Sequence, residues 1–170
     1  AAFGEVETAA GMAVADFARK SGLEAGFDHV GNLQVTSGSV TDAPVILASH
    51  PDSVPNGGNY DGLAGVIAGV VIQAAFRAAG VPGTDQVRTI GFRGEESPWF
   101  GTAYLGSKLL LGQFTVKELT TLTRGDTGLS LLEHLKRLGH PVDDAVLQEK
   151  RLRPEAVKAY LQLHIEQGPV

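Results

Sequence analysis

Apolar positions Val6, Ala9, Ala10, Ala13, Val14, Phe17 and Ala18 recur at helical spacing between Glu5 and Ser21, and Ser21-Gly22 supplies a stop. The pattern predicts an amphipathic opening helix. Two short extended runs follow, Asp28 to Val30 and Leu33 to Thr36, parted by Gly31-Asn32, and they predict a small hairpin. The run Pro44 to Ser49 is apolar without alternation, as expected of a strand buried on both faces, and His50 stands at its carboxyl end. After a loop rich in Pro, Gly and Asn, Asp61 occupies the expected N-cap of a long helix from Gly62 to Ala79. Gly65 and Gly69 lie one turn apart on that helix, which admits close approach to a sheet. Gln86 to Arg93 reads as a strand, with Gly94-Glu95-Glu96 just past its end. Helical pattern returns around Thr102 to Leu111 and around Gly128 to Leu138, where Leu129, Leu132, Leu135 and Leu138 share a face. After Pro154 a short helix leads into a final strand, Val157 to Leu163, that places His164 at its end.

This alternation predicts an α/β fold, a mostly parallel sheet with helices on both faces. In such sheets ligands collect outside the carboxyl ends of the strands, where His50, Glu95, Glu96 and His164 all fall. At 170 residues the chain has the size of one domain, and 43% hydrophobic with 19% charged residues is the balance of an ordinary globular protein. A formal charge of -5 offers no electrostatic footprint for nucleic acid. The absence of Cys removes disulfides, thiolate metal sites and a thiol nucleophile. The longest apolar run, Gly62 to Phe76, is shorter than the roughly 20 residues a bilayer span needs, so a buried helix and no membrane partner are expected. Glu5 and Glu7 near the start bear no likeness to the basic end of a secretory signal, and a cytoplasmic location is the expectation.

A hard or borderline divalent cation needs imidazole and carboxylate ligands on rigid elements, and His50, Asp61, Glu96 and His164 are candidates for that role. Asp52 has the reach to orient the other imidazole nitrogen of His50. The adjacent pair Glu95-Glu96 allows one carboxylate to bind metal while the other acts as general base. Taken singly, His50 reads equally as a polar loop residue, Asp61 as a cap and the glutamates as a solvated face. Spacing alone leaves these plainer readings standing beside the metal one.

The strings HPDSVPNGGNYDGLAGV at 50 to 66, GEES at 94 to 97 and HIEQGPV at 164 to 170 resemble the hydantoinase/carbamoylase branch of the M20 metallopeptidase family. FDHVGNL at 27 to 33, FGTAYLGS at 100 to 107 and DTGLSLLEHLKRLG at 126 to 139 support the resemblance, which covers essentially the whole chain. It implies a zinc-exopeptidase-like catalytic domain of which residues 1 to 170 are the N-terminal part, without the lid and dimerisation domain or the returning C-terminal part. It implies two divalent ions, Zn, Mn, Co or Ni, with His50, Asp61 and His164 on one and Asp61 shared with a second held also by Glu96. In the same way Glu95 is implied as general acid/base, Asp52 as the residue orienting His50, and Gln167 as a contact to substrate, with Glu166 either functional or structural. The implied reaction is hydrolysis of a linear C–N bond in a small N-carbamoyl or ureido substrate, by a protein that is a homodimer when full-length. An M20-type aminoacylase or dipeptidase, or a metal-binding half-domain without turnover, are the competing expectations. The chain departs from the family at Pro51, where an apolar residue such as Leu is usual, and at EESPWF, where EEGSRF is usual; the second change bears on the specificity pocket. In the family a late His completes the second metal site. His29, His134 and His140 are expected to be surface or capping residues instead, so that the chain by itself should hold at most one metal tightly.

Overall fold

A computed structural model describes residues 1–38, 43–140, 142–149 and 151–166 of the chain. The opening helix, α1 (Glu5–Lys20), forms as the periodicity predicts, with acidic residues in its first turn and Arg19 and Lys20 in its last, both favourable to the helix dipole. Its buried stripe is Glu7, Gly11, Val14, Ala15 and Ala18, while Val6 is 78% and Phe17 43% exposed. The apolar face is therefore rotated from the expected one. A stripe of small residues lets the helix lie close to its neighbours, and the larger apolar residues are left outside.

The hairpin is displaced as well. Its strands are β1 (Glu24–Phe27) and β2 (Leu33–Thr36), paired antiparallel, and Asp28 to Val30 belongs to the turn. The reason is local: the Asp28 carboxylate accepts hydrogen bonds from the Val30 and Asn32 backbone N–H at 3.0 and 2.9 Å, which holds these residues in a loop. The apolar run becomes β3 (Val45–Ser49), followed by α2 (Leu63–Ala78) and β4 (Val87–Gly91). Four short helices come next, α3 (Leu105–Leu110), α4 (Val116–Thr121), α5 (Leu131–Arg137) and α6 (Asp144–Gln148), before β5 (Ala159–Gln162). Both α4 and α5 start in capping boxes, Thr115 with Glu118 and Ser130 with Glu133.

The five strands form one mixed sheet in the order β1-β2-β4-β3-β5, in which β3 is parallel to both β4 and β5 and β2 is antiparallel to both β1 and β4. On one face α1 and α2 bury Val14, Ala15, Ala18, Val66 and Val70 against Leu33 and Val35. On the other, Ile46, Ala48, Ile90 and Phe92 pack against Leu110 of α3. Helices thus cover both faces, as the alternation predicts. A separate cluster joins α3, α4, α5 and α6 to Phe3, Val30 and Phe100.

The register sets the site. Ser49 pairs with Gly91 and Ala48 with Gln162, so the three parallel strands end at one edge of the sheet. The α2 helix lies close over them because Gly65 and Gly69 present no side chain. A Cβ at Gly69 would meet Thr89 Cγ2 at 2.7 Å, and one at Gly65 would run into Ser49 and the Leu163 carbonyl. Residues in β5 are exposed along its whole length.

Candidate metal centre

His50 follows β3, Glu95 and Glu96 follow β4, and His164 follows β5, so all reach the shared carboxyl edge. Asp61 arrives from the loop that precedes α2. It is not the N-cap of that helix: Gly62 occupies the cap position at φ 65° with no side-chain cap bond, and the Asp61 Oδ2 accepts instead from the Val54 backbone N–H at 3.0 Å. Glycine is required at 62 both by the positive φ and because a Cβ would fall on the His50 ring. This turn delivers the Asp61 carboxylate to His50.

His50 is fully buried, and Asp61 is 2% exposed. The His50 Nε2 lies 3.8 Å from Asp61 Oδ1 and 3.8 Å from Glu95 Oε2. Neither Nε2 of His50 nor Oδ1 of Asp61 has a hydrogen-bond partner among the described residues, although both atoms are buried. One ligand atom from each of His50, Glu95 and Glu96 lies within 4.8 Å of the other two. The His164 ring sits 5.2 Å from the His50 ring, centroid to centroid, and its Nδ1 is 3.3 Å from Gln162 Nε2. The structure therefore brings His50, Asp61, Glu95, Glu96 and His164 together. Gln167 lies outside the described residues.

Asp52 does more, and something different, than orient the imidazole with its carboxylate. The His50 Nδ1 is 2.9 Å from the Asp52 backbone carbonyl, which accepts its proton, and 3.5 Å from Oδ1. The carboxylate itself accepts from the Glu95 N–H at 3.0 Å and the Glu96 N–H at 3.1 Å. Asp52 thus fixes the tautomer of His50 through its main chain and the Glu95-Glu96 loop through its side chain.

The carboxylates crowd one another. Burial, then Asp61 and Glu95, push the Glu96 carboxyl up to about 7. Burial likewise raises Glu95, against the pull of His50 and with a contribution from Asp52. For His50 burial works to lower the imidazole, but the Asp52 hydrogen bond and the negative charges of Asp52 and Glu95 raise it overall. Two unpartnered buried ligand atoms among acids that resist ionising together are what a cation would relieve. The donor set of imidazole and carboxylate fits a hard or borderline divalent ion.

The substituted string around Trp99 has a structural account: the indole N–H donates to the Ser53 carbonyl at 2.9 Å, pinning the turn after Glu96 to the loop after His50. Among the remaining histidines, His134 corrects the surface expectation. It is 6% exposed, 3.0 Å from the Thr127 hydroxyl and edge-on to Phe100. Both ring nitrogens of His29 are buried without a hydrogen-bond partner among the described residues, while His140 lines a cavity beside Arg93. Glu7 and Arg93, which motif reading passed over, form a buried ion pair of 2.7 Å directly behind the glutamate loop. Their signal was a lone charge in the stripe Glu7, Gly11, Val14, Ala15, Ala18.

Fold and site define the class: an α/β chain with, at the carboxyl edge of its sheet, an imidazole and carboxylate cluster whose donor set suits a divalent ion. No protein-family model matches it. It is 38% identical over 159 residues to an N-carbamoyl-L-amino acid amidohydrolase of Geobacillus stearothermophilus, a match covering 92% of this chain and 38% of that protein. To an allantoate deiminase of Arabidopsis thaliana it is 30% identical over 154 residues, 88% of this chain and 29% of the relative. A solved hydantoinase/carbamoylase family amidase from Burkholderia ambifaria superposes with a TM-score of 0.77 at 29% identity, covering 99% of this chain and 40% of that one. The chain is a homologue of the hydantoinase/carbamoylase amidases, over less than half of their length.

Proposed function

We propose that residues 1–170 are the N-terminal part of the metal-binding catalytic domain of an amidohydrolase that cleaves the linear C–N bond of a small N-carbamoyl or ureido acid. The observation that carries this is the pair of buried, unpartnered ligand atoms, His50 Nε2 and Asp61 Oδ1, facing each other at 3.8 Å beside Glu95. A buried polar atom without a partner is costly, and it persists where a ligand completes it. Support for the reaction comes from relatives named for carbamoyl-amino acid and allantoate chemistry.

In this reading His50, Asp61 and His164 hold one divalent ion, and Asp61 with Glu96 contributes to a second. When bound, such ions supply Lewis acidity toward a carbonyl oxygen and toward water. Glu95 is the proton carrier: its carboxylate takes a proton from the attacking water and returns it to the departing nitrogen. Water adds at the carbamoyl carbon, the bond to the amino-acid nitrogen breaks, and the carbamic acid released falls to carbon dioxide and ammonia. Asp52 holds His50 and the glutamate loop in place, and Gln167 is proposed to contact the substrate. The full-length protein is proposed to be a homodimer.

The test is ammonia release from an N-carbamoyl-L-amino acid by the full-length protein, after dialysis against chelator and reloading with Zn, Mn, Co or Ni. Glu95→Gln should keep the metal content of the parent and lose turnover by about 100-fold or more, since it removes a proton carrier. Hydrolysis of an N-acyl amino acid or dipeptide with no ammonia release would overturn the substrate class. Loss of metal from Glu95→Gln would mean that Glu95 is a ligand.

A further inference from the structure

Glu7 is 2% exposed, and its carboxylate faces inward from the first turns of α1. Its Oε2 accepts from the Phe3 N–H and from the Arg93 Nε–H, each at 2.7 Å, and its Oε1 accepts from the Gly94 N–H at 3.0 Å. Arg93, 3% exposed, also donates through Nη2 to the Thr8 hydroxyl at 2.8 Å, and its guanidinium stands 5.0 Å over the Phe3 ring. Gly94 sits at φ 59°, and a Cβ there would meet that same ring at 2.6 Å. The start of the chain is therefore packed directly against the turn that carries the two glutamates.

The next two amides are also taken by a carboxylate, those of Glu95 and Glu96 by Asp52 Oδ1 and Oδ2. Past Gly91, where β4 ends, the carbonyls of Arg93, Gly94 and Glu95 accept from the Gly106, Leu105 and Tyr104 N–H at 2.8, 2.9 and 2.9 Å, whereas the N–H groups of Gly94, Glu95 and Glu96 meet no strand. Three successive N–H groups end instead on two buried acids, one from α1 and one from the loop after β3. Glu7 itself makes no contact with His50, Asp61 or His164 in the hydrogen bonds and ion pairs described.

We propose that Glu7 is a positioning residue for the Glu95-Glu96 pair: with Asp52 it forms a two-carboxylate clamp on the Gly94, Glu95 and Glu96 amides, so that α1 sets where both side chains reach toward His50. The inference rests on the metal-centre reading for what the two glutamates do, whereas the clamp is defined by the hydrogen bonds alone. The competing role is simple neutralisation of Arg93. Replacing a buried ion pair by apolar residues of similar size is often neutral for stability, so the pair can be removed whole while the Gly94 amide is left without its acceptor.

The experiment uses the full chain with Glu7→Leu/Arg93→Met, and with Glu7→Gln alone, read by amide hydrogen exchange at residues 94 to 96 and by calorimetric titration with Co2+. The double variant, with the Phe3 and Gly94 amides unpartnered, should unfold somewhat below the parent's temperature, exchange the amides of residues 94 to 96 at least about tenfold faster relative to the rest of the chain, and bind Co2+ about tenfold more weakly, the scale of outer-shell changes at metal sites. Glu7→Gln keeps one acceptor and should move both readouts the same way. Parent-like amide protection and Co2+ affinity in the double variant would overturn the clamp and leave neutralisation of Arg93 as the role of Glu7. Should the double variant not fold, the same two readouts on Glu7→Gln decide the matter by the same criterion. A parent chain that binds no Co2+ would sink the metal reading, and exchange at residues 94 to 96 would still uphold or reject the clamp.

Discussion

His50, Glu95 and Glu96 each hold protons more tightly in the folded chain than in free solution, and the direction fixes a pH dependence. Glu96 titrates near 7 against an ordinary 4.5, so between those values the folded metal-free chain keeps a proton that the unfolded chain has released. The Glu96 contribution to the stability of the metal-free chain therefore falls as pH rises through that window, while His29, His134 and His140, each lowered chiefly by burial, act in the opposite sense. Glu95, raised chiefly by burial, acts in the same sense as Glu96. His50 adds to it: as an imidazole raised overall, its contribution is complete at low pH and is lost as pH climbs through its folded value. The same protons must leave before a cation can bind, so Co2+ affinity should rise over this range. Urea midpoints in chelator, set beside Co2+ titrations from about pH 5 to about pH 8, check both. A parent whose metal-free stability relative to Glu96→Gln grows from about pH 5 to about pH 7 would show that the Glu96 carboxyl is not held as the structure has it.

At the scale of elements, α2 is the part whose sequence most constrains its packing. It is apolar almost throughout, so periodicity says little about its orientation; the glycines decide. Gly69 lies over Thr89, whose hydroxyl is 2.9 Å from Gln73 Oε1 of the same helix, and Gly65 lies over Ser49 and the Leu163 carbonyl. Gly69→Val should therefore push α2 from the sheet and cost about 1–3 kcal/mol, the usual penalty of overpacking. Chemical unfolding measures it. A neutral result would mean that the helix rides further from β3 and β4 than its contacts show. Among the short helices, periodicity missed α4 and α6, although Thr115 with Glu118 is an S/T-x-x-E start like Ser130 with Glu133.

On the scale of the whole molecule, the two edges of the sheet differ in what they expose. Both edge strands are four residues long with one neighbour each, but β1 is half-buried at Ala25 and Gly26, whereas β5 and the residues after it leave Tyr160 at 51%, Leu161 at 53% and Leu163 at 57% exposure. Ile72 of α2 lines one hollow with Leu161 and Leu163, and Ile67, Val71 and Phe76 of the same helix are exposed as well. Unpaired strand edges and contiguous apolar patches drive association. The 170-residue chain should accordingly associate with rising concentration, and Leu161→Lys should reduce the effect in sedimentation velocity. A parent that stays monomeric throughout would mean that the edge is shielded. No helix is long and apolar enough to cross a membrane among the described residues.

The succession of α1, β2, β3, α2, β4, α3, α5 and β5, the strand ends bearing His50, Glu95, Glu96 and His164, and the close-packed glycines of α2 were legible in the sequence, because each depends on neighbours within a few residues; β1, α4 and α6 were not. The strings HPDSVPNGGNYDGLAGV and HIEQGPV added the family and the roles proposed for the site. What the sequence did not determine depends on contacts made far along the chain. Asp61 looked like a helix cap because nothing local shows that a positive φ at Gly62 turns it toward His50 instead. The rotation of α1 followed from what it packs against: small residues and a charged Glu7 face inward because the Gly94 amide and Arg93, 87 and 86 residues away, supply the partners that make burial of a carboxylate tolerable. Periodicity registers apolar side chains, whereas only the tertiary structure decides which charge is buried and what it holds.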